Sequence, residues 1–176
     1  MNSISDLFAD PNARHAMIVH WPIVMCSVAP LLVLLVAFTR GKKKSLVLVA
    51  VACCLIGSGG AFASERSGED AEDALDMKYA PISSAEGRAV HEHEELAENG
   101  WIWPLIPAGC LLLVLVPFKP PFARWGLVAA ALVTSVGVTV WIATTAHAGG
   151  TLVYQYGLGV PERGKAEAVY GAERSP

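Results

Sequence analysis

The chain has 176 residues, of which 53% are hydrophobic and only 16% charged, and its mean hydropathy is +0.45. That is too apolar for an ordinary water-soluble domain and long enough for one domain only. The formal charge of −3 is small, and no basic patch interleaved with aromatics appears, so nucleic acid is not an expected partner.

In chain order, residues 1–15 form a short polar tail without the basic start of a secretory signal. The first apolar run, 16–38, is long enough to cross a hydrocarbon core about 30 Å thick. Pro22 sits in its first turns, where proline costs least, and Pro30 predicts a kink mid-run. Arg40, Lys42, Lys43 and Lys44 end it. A second run, 45–63, finishes in small residues (Gly57, Ser58, Gly59, Gly60, Ala61) that allow close helix approach.

The segment 64–99 follows, with eleven acidic and three basic residues between Ser64 and Gly100. The third run, 101–117, carries Pro104 and Pro107 near its start. A tight basic turn (Lys119, Arg124) leads into the fourth run, 125–146, and residues 151–176 read as a polar tail. The expectation is therefore an all-α, integral-membrane four-helix bundle with its membrane domain over 16–150. The two basic loops belong in the cytoplasm, which puts both termini and 64–99 on the other side. The four cysteines (Cys26, Cys53, Cys54, Cys110) lie within apolar runs and read as packing residues.

In this topology all four helices deliver polar side chains to the outer end. Ionisable groups at membrane depth are expensive unless paired or used. His20, about one turn into the first run, and His147, at the end of the fourth, are expected to face each other as cofactor ligands. His15 reads as a solvated or headgroup-contacting residue just outside the run. His91 and His93 lie about 200° apart on a helix, so only one can point into a site. Glu65, Glu69, Glu72 and Asp76 form a stripe that a solvated helix face would also produce. A metal-ion site would draw on His20, His91 or His93, His147, Glu69 and Glu94.

The stretches His20-Trp21-Pro22-Ile23, Ser67-Gly68-Glu69-Asp70-Ala71-Glu72, His93-Glu94 and His147-Ala148-Gly149-Gly150-Thr151-Leu152-Val153-Tyr154 together carry a family resemblance. Over roughly 15–160 the chain resembles a bacterial family of four-helix membrane proteins of unknown function, loosely called cytochrome b-like. The family's fourth helix ends in Gly-His-Xaa-Gly-Gly, whereas Ala146 precedes the histidine here. The resemblance implies a multi-pass protein of the bacterial inner membrane, found beside respiratory or cytochrome c-type subunits.

Two function classes follow, with a third, structural one behind them. The first is a haem b electron-transfer or anchor subunit, with His20 and His147 as axial imidazoles. The alternative is a site for a metal ion such as zinc, iron, manganese or copper, since a mixed nitrogen and oxygen donor set suits these. The third is a subunit whose polar cluster merely orders the bundle. No nucleophile–base pair or phosphate loop points to an independent enzyme.

Overall fold

The computed structural model describes residues 4–75, 84–117 and 120–159. Helices α1 (Ile4–Ala9), α2 (Pro11–Ile18), α3 (His20–Phe38), α4 (Lys44–Ala74), α5 (Ala85–Ala97), α6 (Leu105–Leu115) and α7 (Pro121–Tyr154) account for most of them. A single turn of 3-10 helix, Gly100–Ile102, joins α5 to α6, and no strand occurs among the described residues. Four helical stretches are long and apolar enough to cross a membrane: Pro11–Phe38, Lys44–Ala74, Ala85–Leu115 and Pro121–Tyr154.

Their limits differ from the apolar runs in instructive ways. α6 alone has 11 residues, which at 1.5 Å per residue is about half a hydrocarbon core. The third crossing is therefore completed by the 3-10 turn and α5. α4 does not stop at Ala63 but continues to Ala74, and α7 continues past Ala146 to Tyr154, into the stretch expected to begin the polar tail. Hydropathy marks where a helix leaves an apolar slab, not where its backbone hydrogen bonding ends.

α3 packs on α4 and α7, and α6 packs on the same two, giving a four-membered ring. The core is built from small and branched residues: Ala29, Val33, Val36, Val47, Ala50, Val51, Cys53, Cys54, Ala108, Leu111, Val114, Val128 and Ala131. Large apolar side chains such as Leu31, Phe38, Phe122 and Val133 point outward instead, the pattern of a bundle whose surroundings are as apolar as its core. The cysteines are all free, and three of them are buried.

Prolines shape the first crossing. Pro22 has no N–H and its ring would crowd the Ile18 carbonyl, and the helix breaks just there, at Val19. Pro30 lies inside α3 and leaves the Cys26 carbonyl without its helical donor. The Thr139 hydroxyl of α7 donates to that carbonyl at 2.7 Å. A second crossing contact of this kind runs from the Ser58 hydroxyl of α4 to the Trp101 carbonyl, also 2.7 Å.

Beyond the ring, α2 lies against the far end of α4, and α5 against the far end of α7. A β-carbon added at Gly159 would stand 3.3 Å from Asn12 Oδ1, so the two described ends of the chain meet at this end of the bundle.

Candidate functional site

The site is the polar end of the bundle, where α2, α4, α5 and α7 converge. α2 is started by Asp10, whose carboxylate accepts from the Asn12 and Ala13 amides. Arg14 is tied to Asp70 of α4 at 2.6 Å. With α2 held this way, His15 turns inward against α4. A β-carbon at Gly68 would sit 3.2 Å from His15 Cε1, so only glycine gives the ring this room without a shift. The Ser67 hydroxyl lies 3.0 Å from both the Ser64 carbonyl and His15 Nδ1. Donating to the carbonyl, its oxygen is left to accept from an Nδ1–H.

α5 is started by Ser84, whose hydroxyl accepts from the Gly87 amide. It carries His93 onto α7. The Trp141 indole N–H donates to the Leu96 carbonyl at 2.8 Å and locks the two helices together. A β-carbon on Gly100 would overlap the Trp141 ring, so the α5–α6 turn closes directly over the indole. His93 Nδ1 lies 3.1 Å from the Thr145 carbonyl. A carbonyl can only accept, so Nδ1 carries the proton and Nε2 presents its lone pair. Gly149 borders this ring as Gly68 borders the other, its added β-carbon 3.0 Å from His93 Cε1.

The two imidazoles are half-buried, His15 against α4 and His93 against α7. Both lie beyond the apolar runs 16–38 and 101–117 but within the longer helical stretches Pro11–Phe38 and Ala85–Leu115. Glu65 adds a carboxylate oxygen, Oε2, that is buried without a hydrogen-bond partner among the described residues.

The expected pair is placed differently. His20 is exposed, its Nδ1 2.7 Å from the Ala16 carbonyl of its own chain turn. His147 is exposed too, and lines a groove of about 570 Å³ between α5 and α7 with Glu92, Leu96, Thr144 and Thr151. The structure thus exposes both His20 and His147, and the histidines it half-buries at this end are His15 and His93. His15, expected as a solvated or headgroup-contacting residue, is half-buried instead, because α4 continues past Ala63 and supplies a wall for it. His91 is exposed and reaches Glu95 at 3.1 Å and Glu94 at 3.8 Å. Of the two α5 histidines it is therefore His93 that turns inward. Glu69 is exposed and paired with Arg66 at 3.0 Å, and Asp76 lies outside the described residues. Among the described residues no group of three or more histidine, cysteine, aspartate or glutamate side chains is arranged to hold a metal ion.

Trp141 and Thr145 were not singled out by sequence reasoning. Their signal was there: polar atoms on α7 at i and i+4, on the face where an ionisable partner must be satisfied. No protein-family model, no curated protein and no solved structure matches this chain.

Proposed function

We propose that this chain is a multi-pass membrane protein that holds a haem b between His15 and His93 and passes single electrons at the outer face of the inner membrane. The observation that carries the reading is a half-buried imidazole on each of two helices at this end, His15 on α2 and His93 on α5. In His93 an Nδ1–H bond to a carbonyl leaves Nε2 as the donor atom. Such an outer hydrogen bond orients a ligating imidazole and raises its basicity. Haem iron takes four nitrogens from its own macrocycle and asks the protein for two. A bare ion asks for three or more, a count these two imidazoles reach only if Glu65 joins them.

When bound, the group supplies reversible one-electron chemistry. The chain supplies the ligands, the glycines Gly68 and Gly149 beside them, and an acidic rim. That rim would steer a basic partner such as a cytochrome c-type domain, with an attraction that weakens as salt is raised.

The purified protein is expected to show a strong Soret band and, on reduction, split visible bands. His15→Ala and His93→Ala should each abolish the reduced low-spin spectrum, whereas His20→Ala and His147→Ala should leave it. A colourless protein after haem supplementation sinks the reading. A second reading rests on the orphaned Glu65 carboxylate oxygen: a metal ion on His15, His93 and Glu65 after local adjustment. It predicts stoichiometric metal by elemental analysis and its release by Glu65→Gln, which haem ligation would survive.

A further inference from the structure

The opposite end of the bundle is organised by charge alone. Between Asp10 and Glu65 the sequence contains no acidic residue, and between Glu98 and Glu162 it contains none either. The far ends of α3 and α6 and the starts of α4 and α7 therefore gather cations with no carboxylate among the described residues to neutralise them. Arg40, Lys42, Lys43 and Lys44 are all exposed.

The loop that carries them is tightly built. The Gly41 amide bonds back to the Val36 carbonyl at 2.9 Å and the Arg40 amide to the Ala37 carbonyl at 2.8 Å, the double closure of a Schellman helix end. That closure needs a left-handed residue at the position of Arg40, whose φ is 56°, and glycine is the usual occupant. Arg124, from the first turns of α7, lies across this loop. A β-carbon at Gly41 would stand 3.3 Å from Arg124 Cδ and 2.9 Å from Val114 Cγ1. The Arg124 Nε is buried and has no hydrogen-bond partner among the described residues. Beside it, α4 begins at Lys44 without a side-chain cap and with no acid in its first turn.

We propose that Arg40, Lys42, Lys43, Lys44 and Arg124 form a binding site for the phosphodiester headgroup of an anionic phospholipid, such as phosphatidylglycerol, in the adjoining leaflet. Five cations without an acidic partner among the described residues, at the edge of an apolar slab, call for counter-charge, and the lipid phosphate lies at that depth. A guanidinium suits this task because its donors form a fixed fork that matches phosphate oxygens. Basic pockets between membrane helices recognise anionic headgroups in the same manner.

The test is native mass spectrometry of the full chain, titrated in detergent with dioleoyl-phosphatidylglycerol against dioleoyl-phosphatidylcholine. Preferential retention of phosphatidylglycerol is expected. Arg124→Gln and Arg40→Gly should each weaken it about fivefold, the share of one interfacial cation. Arg40→Gly is the safer variant, because glycine suits the left-handed backbone and the melting temperature should hold or rise. Arg14→Gln, at the other end of the bundle, should change nothing. Equal retention of the two lipids, or an undiminished preference in the Arg40→Gly protein, overturns the proposal. So does an equal loss in Arg14→Gln, or complete displacement of the lipid by millimolar inorganic phosphate. Haem loading plays no part in these readouts, so the site stands or falls independently of the function proposed above.

Discussion

His93 Nδ1 lies 3.1 Å from the Thr145 carbonyl and so holds the inner face of α5 against α7. His93→Phe keeps a ring there without the donor and should lower the unfolding midpoint in detergent by about 1 kcal/mol. His91→Gln, on the exposed face of the same helix, should leave it unchanged. Equal midpoints in the two variants would remove this contact from the explanation. The sequence carried part of this residue-level picture: the 200° separation already required that only one of His91 and His93 face inward. It did not carry the placement of His15, since that depends on α2 packing along a stretch of α4 whose own composition reads as solvated. Nor did depth in an apolar run tell whether His20 faces the bundle or its surroundings; helical phase against distant neighbours decides that.

Among the elements, α3 shows how a break in a hydrogen-bond ladder is repaired from a neighbour. Pro30 frees the Cys26 carbonyl, and Thr139 satisfies it from α7 while its oxygen also lies 3.0 Å from the Ser135 carbonyl. Removing the hydroxyl leaves a buried acceptor unpaired in an apolar setting. Thr139→Val should cost about 1 kcal/mol, read as a lower unfolding midpoint in detergent, and Thr139→Ser should recover most of it. A midpoint unchanged in the valine variant, or equally low in the serine one, would mean the contact contributes nothing. The four apolar runs and Pro30 were legible in the sequence because hydropathy and proline chemistry are local properties. The extensions of α4 and α7 were not, because their polar turns are held by partners rather than by composition: α2 through Arg14–Asp70 and His15–Ser67, and α5 through Trp141–Leu96.

Charge divides the whole molecule along the bundle axis. The end formed by α2, α5 and the far ends of α4 and α7 holds the described acidic residues, while the opposite end holds Arg40, Lys42, Lys43, Lys44 and Arg124 and no described acid. Short loops rich in lysine and arginine are retained in the cytoplasm. The polar end, with the His15–His93 pair, is then expected outside the cytoplasm together with both described chain ends. An Asp73→Cys variant should react with a membrane-impermeant maleimide in intact cells after outer-membrane permeabilisation. Lys43→Cys should react only once the inner membrane is opened. Asp73 and Lys43 are both exposed, so accessibility reports sidedness rather than burial. Reaction of the Asp73→Cys protein solely from the cytoplasmic side would invert the molecule. It would also withdraw the electron-transfer partner proposed for the outer face, leaving the imidazole pair to be explained from the inside.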